Sequence, residues 1–182
     1  MRVSRAGTSP STSVDPPSDP DGTAIEVEAR YGQALFGFAR RVGLTDDEAE
    51  DAVQESLTRL LVVLKSGTVI DDPRGWVFTA LYRVAMDQHR LRRRVSGILK
   101  RVSMAVRGSQ VDETEVTRRL SIWFEVDRLP DRQRQVLYLH YKADLGFDEV
   151  ARVMGVTPAG ARAIASRAIA ALRKNSHVEE TR

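Results

Sequence analysis

The sequence contains no cysteine. That excludes disulfides, thiolate zinc sites, iron–sulfur ligation and a cysteine nucleophile, and it is compatible with a reducing, intracellular home. Aromatic residues make up only 6% of the 182 positions, so any core has few large anchors, and two modest lobes fit the composition better than one large core. Long apolar runs are missing too. Leu60 to Leu64, between Arg59 and Lys65, falls far short of the roughly 20 residues that span a bilayer. No apolar stretch follows Arg2 and Arg5 before Ile25, which argues against a secretory signal. Membrane insertion is therefore not expected, and a cytoplasmic location is. Lysine is scarce, present only at Lys65, Lys100, Lys142 and Lys174; the other bases are arginine, whose rigid fork suits phosphates and guanine edges. Nucleotide-binding, metalloprotease and nucleophile-elbow motifs do not occur, and His89, His140 and His177 lack ligand spacing. No enzymatic activity, cofactor or metal site is expected.

What is present is helical. Residues 1–22 hold Pro10, Pro16, Pro17 and Pro20 with five serines and no aromatic, a composition that predicts a disordered tail. The remaining prolines, Pro73, Pro130 and Pro158, each open a helix-patterned segment, where a missing N–H has no consequence. Tyr31, Leu35, Phe38 and Val42 recur at helical spacing up to Gly43. A second helix follows Thr45, with Ala49, Ala52, Val53, Leu57, Leu60, Leu61 and Leu64 on one stripe and Asp47, Asp51, Gln54, Glu55 and Thr58 on the other. A third starts at Pro73, with Val77, Leu81, Val84, Gln88 and Leu91 as its seam, and ends in bases. Residues 96–113, with Ser96, Gly97, Gly108 and Ser109, read as a linker. Beyond it Val116, Leu120, Trp123, Phe124 and Val126 begin a second lobe, continued by stripes at Val136 to Tyr141 and Phe147 to Met154. No segment alternates like a strand. The expected fold is all-α, with two small helical domains at 23–95 and 114–176, a flexible linker, and short tails at 1–22 and 177–182.

A net charge of +3 hides a bipolar chain. Gln88 to Val111 carries Arg90, Arg92, Arg93, Arg94, Lys100, Arg101 and Arg107 without an acid, and Val150 to Val178 carries Arg152, Arg162, Arg167, Arg173 and Lys174, again without one. Val42 to Thr58 inverts the pattern with six acids and no base. Two basic blocks, one per lobe, suit a polyanion held at two points, since each neutralised phosphate releases counterions. Helix-end bases complementing the dipole account for Arg92 to Arg94 and for Arg173 and Lys174 singly, but not for acid-free tracts. Asp47, Asp51 and Glu55 as a magnesium site is the weaker reading of the acidic face; a docking face for a basic partner is the sharper one.

Phe147 to Met154, Gly155 and Thr157-Pro158 have helix-turn-helix spacing, with Ala151 small enough for a close crossing. The second helix would bury Ala161, Ile164, Ala165, Ala168 and Leu172 and turn Ala159, Gly160, Arg162, Ala163, Ser166 and Arg167 toward a major groove. A plain three-helix core has the same spacing and remains open on residue pattern alone.

These residues together resemble the bacterial RNA polymerase sigma factors of the extracytoplasmic-function group, which keep sigma domains two and four joined by a linker. Asp46 to Glu55 is similar to that family's core-binding helix, which implies polymerase contacts at Asp47, Asp51, Gln54 and Glu55. Arg74-Gly75-Trp76-Val77-Phe78-Thr79 and the helix through Asp87 to Arg94 are similar to the segment that reads and melts the minus-ten element. The resemblance implies DNA contacts there at Trp76, Thr79, Tyr82, Arg83, Arg90, Arg92, Arg93 and Arg94. Trp76, Phe78 and Tyr82 beside Arg83 and Arg90 have the chemistry to stack unpaired bases and hold phosphates. Leu129 to Leu137, followed by Phe147 to Leu172, is similar to domain four, which implies minus-thirty-five contacts at Thr157, Ala159, Gly160, Arg162, Ala163, Ser166 and Arg167. Arg83 stands where the family commonly has Asn, and Ala163 and Ile164 stand where Ser and Arg are usual, so an unusual sequence preference is expected. The implied function is a promoter-specificity factor that binds core RNA polymerase and promoter DNA, with an anti-sigma factor as a possible partner. Two other readings stand beside it: a helix-turn-helix regulator that never meets polymerase, which would have no use for the acidic face, and a sigma-shaped protein that titrates a partner without initiating transcription.

Overall fold

The computed structural model describes residues 19–99 and 122–180, with side chains through Arg92 in the first stretch and Lys174 in the second. Among the described residues there are seven helices and no strand. Helices α1 (Pro20–Val42), α2 (Asp46–Lys65) and α3 (Pro73–Leu99) form the first lobe. The second comprises α4 (Ile122–Asp127), α5 (Asp131–Leu137), a π-helical turn (Tyr138–Lys142), α6 (Phe147–Met154) and α7 (Pro158–Glu180).

Local chemistry sets most of the ends. Gly43, at φ 100°, closes α1 and sends its N–H back to Arg40 O; an L side chain there would be strained. Thr45 and Glu48 build a reciprocal capping box on α2: the Thr45 N–H donates to Glu48 Oε2 at 2.8 Å and the Glu48 N–H to Thr45 Oγ1 at 3.4 Å. At α3, Asp72 Oδ1 accepts the Gly75 N–H at 3.0 Å. Gly155, at φ 63°, ends α6, and Thr157 Oγ1 accepts the Gly160 N–H at 3.0 Å to start α7.

Three boundaries differ from the sequence reading. Residues 20–22 are helical rather than tail, because Pro20 occupies a first-turn position that needs no donor and Asp21 favours the positive end of the dipole. Helix α3 runs through Ser96 and Gly97, expected in the linker, to Leu99; one glycine costs about 1 kcal/mol, too little to stop an established helix. Helix α7 likewise passes residue 176 and reaches Glu180. The rest of the expected tail and linker, the bases Lys100, Arg101 and Arg107, and the apolar Val116 and Leu120 lie outside the described residues.

The apolar stripes meet as their spacing requires. In the first lobe Leu35, Phe38, Leu60, Val77, Phe78 and Leu81 are fully buried, each large side chain contributing about 1.5–3 kcal/mol. The buried Ser56 satisfies its hydroxyl on Ala52 O at 2.7 Å. In the second, Val136, Leu139, Leu145, Val150, Ala161, Ala165 and Ala168 form the interior. Both interiors belong to one continuous cluster, because the lobes pack directly on each other. Tyr138 stacks on Phe38 with ring centroids 6.2 Å apart. Arg41 pairs with Asp127 at 3.0 Å, and Arg134 donates to Arg41 O at 3.0 Å. Arg74 bonds Glu149 at 3.0 Å and Asp144 O at 3.1 Å.

Candidate nucleic-acid interface

The acidic side of α2 is an open surface. Asp47, Asp51, Gln54, Glu55 and Thr58 are all exposed, opposite the buried Ala49, Ala52, Val53, Leu57 and Leu60. Two of them have local tethers. Gln54 donates to Glu28 of α1 at 3.3 Å, and Glu55 pairs with Arg59 one turn on at 2.5 Å. Both tethers are exposed and weak, so the face stays available to a partner. No group of three or more acidic or histidine side chains arranged to hold a metal ion occurs among the described residues, Asp47, Asp51 and Glu55 included.

Glu48, at the edge of this face, is tied inward. Its carboxylate takes the Thr45 N–H and pairs with Arg92 of α3. Burial alone would raise its pKa, but the Thr45 and Arg92 contacts outweigh that and hold it below the ordinary carboxylate range. Arg92, expected to grip DNA, is therefore engaged with Glu48 and with Gly43 O at 3.4 Å. Arg90 is exposed and pairs with Asp87 at 2.8 Å. The side chains of Arg93 and Arg94 lie outside the described residues.

The start of α3 divides the expected aromatic surface. Phe78 is fully buried, edge-on to Phe38 at 5.8 Å, and offers no stacking face. The reason is positional: it follows Val77 and precedes Leu81 on the inner seam. Tyr82 is half-buried and stacked on Phe38 at 6.2 Å. Trp76, Thr79 and the exposed Arg83 do come together, lining a cleft of about 430 Å³ with Ile70, Asp71 and Asp72. Its far wall is Arg152 of α6, a residue that no spacing argument could bring to this place. Arg74, next to Trp76, is partly buried; burial opposes its charge, but the Glu149 contact prevails and holds its pKa above the usual value.

The second lobe presents its helix pair as the spacing predicts. Helix α6 and helix α7 are joined by Gly155, Val156 and Thr157, and Val156 N–H returns to Ala151 O at 3.0 Å. Thr157, Ala159, Arg162, Ala163, Ser166 and Arg167 are exposed and Gly160 is half-buried, while Ala161, Ala165 and Ala168 pack inward. Arg167 Nε rests on Ala163 O at 3.2 Å. Small side chains between two exposed arginines let a helix approach a groove closely.

Among the described residues the chain is all-helical and bipartite, with an acidic helical face, a cleft joining aromatic and basic side chains, and an outward-facing helix pair in the second lobe. Family comparison narrows the class: residues 29–95 match the Sigma-70 region 2 model and residues 126–174 the Sigma-70, region 4 model, covering more than half of the chain between them. The chain belongs to the sigma-70 family. It is 32% identical over 152 residues to the ECF RNA polymerase sigma factor SigJ of Mycobacterium tuberculosis (strain ATCC 25618 / H37Rv), a match over 75% of this chain and 46% of that protein. The chain thus spans about half the length of that curated relative. Among solved structures it resembles the sigma factor RpoE in complex with the anti-sigma factor NepR from Bartonella quintana, with TM-score 0.63 and 23% identity over 82% of this chain and 94% of that one. It also resembles CnrH in complex with the cytosolic domain of CnrY, with TM-score 0.55 and 22% identity over 86% and 89% of the two chains. At these identities the two structures share its fold.

Proposed function

We propose that this protein is a promoter-specificity factor that binds core RNA polymerase and directs transcription initiation at a restricted set of promoters. The observation that carries the reading is the pairing, in one chain, of an unobstructed acidic face on α2 with an exposed recognition face on α7. A duplex-binding regulator needs only the second. In this reading residues 23–95 form sigma domain two and residues 114–176 sigma domain four. Asp47, Asp51, Gln54 and Glu55 meet a basic surface of the polymerase, where complementary charge speeds encounter. Trp76, Thr79, Tyr82 and Arg83, with Arg90 and the bases up to Arg94, receive the minus-ten strand; Thr157, Ala159, Gly160, Arg162, Ala163, Ser166 and Arg167 read the minus-thirty-five duplex. The factor supplies recognition rather than catalysis. No helix among the described residues is long and apolar enough to cross a membrane, and we place the protein in the cytoplasm with its polymerase. The complex of the structurally similar RpoE with the anti-sigma factor NepR motivates the same class of partner here. Run-off transcription from genomic fragments, with purified core polymerase, tests the whole reading. Discrete transcripts that depend on the added chain are expected; no transcripts and no co-elution with core polymerase would overturn it.

A further inference from the structure

Gln135 is 4% exposed, yet among the described residues its side-chain oxygen Oε1 has no hydrogen-bond partner. A buried acceptor left unmet is costly, and one that borders a cavity is explained most directly by a donor arriving from outside the chain. Gln135 does border a cavity. A cleft of about 430 Å³, within the size range of small-ligand sites, lies between α3 and α5 and shares no residue with the cleft at Trp76. Tyr82, Met86, His89 and Arg90, one face of α3, form its first wall with Val42 at the end of α1; Asp131, Arg132 and Gln135 of α5 form the second.

The lining changes character from inside to mouth. Tyr82, Met86 and His89 are half-buried and Gln135 is buried, so two rings and a thioether stand with the amide. His89 Nε2 donates to Val42 O at 2.8 Å, which leaves Nδ1 of the neutral ring as a second acceptor. Arg90, Asp131 and Arg132 are exposed. Arg90 pairs with Asp87 at 2.8 Å and Asp131 with Arg134 at 3.0 Å, whereas Arg132 has no ion-pair partner among the described residues. The mouth therefore has one surplus positive charge, which suits a small anion better than the phosphate run of a strand.

We propose that this cleft binds a free nucleotide, its base against Tyr82, His89 and the Gln135 amide and its phosphate on Arg132. Aromatic faces take any planar base. An amide sets an acceptor beside a donor, and a nucleobase edge returns an N–H beside an acceptor, so the unmet oxygen of Gln135 is satisfied.

Titration calorimetry on the full chain, without polymerase or DNA, is the test, and its outcome does not depend on the promoter reading. AMP, GMP and UMP are the probes, with ribose 5-phosphate as the control lacking a base and adenosine as the control lacking a phosphate. At least one nucleotide should bind about tenfold more tightly than ribose 5-phosphate. Gln135→Leu, similar in size and apolar like its neighbours Val136 and Leu137, should remove that advantage. Arg132→Ala, at an exposed position where folding is not at stake, should weaken the same nucleotide about tenfold and leave adenosine unchanged. Melting followed by circular dichroism verifies that both variants fold; should Gln135→Leu not fold, the comparison of wild type with Arg132→Ala decides. Equal affinity for the nucleotides and ribose 5-phosphate makes the cleft an anion site and overturns the proposal. So does a wild-type chain that takes up no nucleotide at millimolar concentration, or one in which only a single-stranded oligonucleotide binds.

Discussion

Glu48 and Arg92 join the two functional helices of the first lobe: the carboxylate that caps α2 also pairs with the guanidinium where α3 turns basic. A single side chain thus ties the cap of α2 to the basic end of α3. Its folded pKa is depressed, so its stabilising contribution is full above the unfolded carboxylate value near 4.3 and is lost as pH falls through the lower folded value. Glu48→Gln should flatten the acid limb of the stability curve below about pH 4.3. Thr45→Ala, which removes the other half of the box, should cost about 1 kcal/mol. Urea unfolding followed from pH 7 to pH 3 checks both; an acid limb unchanged in Glu48→Gln would refute the linkage.

Reversing the acidic face should abolish docking on core polymerase without unfolding the chain. Asp51 and Glu55 are exposed, and among the described residues the tether lost is the surface pair of Glu55 with Arg59. Asp51→Arg combined with Glu55→Arg should therefore shift stability by roughly 0.5 kcal/mol per site. Pull-down of core polymerase by the folded double variant, compared with wild type, decides; retained affinity removes the face from the interface.

Phe78 and Trp76 should separate stability from DNA contact. Phe78→Ala empties a fully buried site and should destabilise by about 3–5 kcal/mol. Trp76→Ala, in the half-buried cleft wall, should cost less stability but weaken binding to forked DNA by roughly 1–3 kcal/mol if it stacks on a base. Thermal melts and fork titrations on both variants are the measurements. Equal fork affinity for Trp76→Ala and wild type would assign the indole to packing.

On α7 the two exposed arginines should carry sequence preference. Arg162→Ala or Arg167→Ala should weaken the cognate upstream duplex by about 1–3 kcal/mol and relax selectivity at one or two base pairs. Neither packs inward, so the melting temperature should hold. Titration against cognate and scrambled duplexes at several salt concentrations checks this. If the ratio of the two affinities does not fall, α7 is not the reader.

The all-α class, the turns at Gly43 and Gly155, the capping box at Thr45 and the acidic stripe of α2 were all determined by the sequence itself. Each depends on residues within one or two turns of one another, where periodicity and capping chemistry act without the rest of the chain. The outward set on α7 was legible for the same reason. Only the tertiary structure decided that Phe78 belongs to the core while Trp76 borders a cleft, since adjacent seam positions differ by which helix lies opposite. It alone engaged Arg92 with Glu48, across a gap of more than forty residues in sequence. It alone set Tyr138 on Phe38 and Arg152 against the cleft of Trp76, Thr79 and Arg83. Contacts between lobes are made by single residues with no shared period, and their partners are defined by packing rather than by spacing.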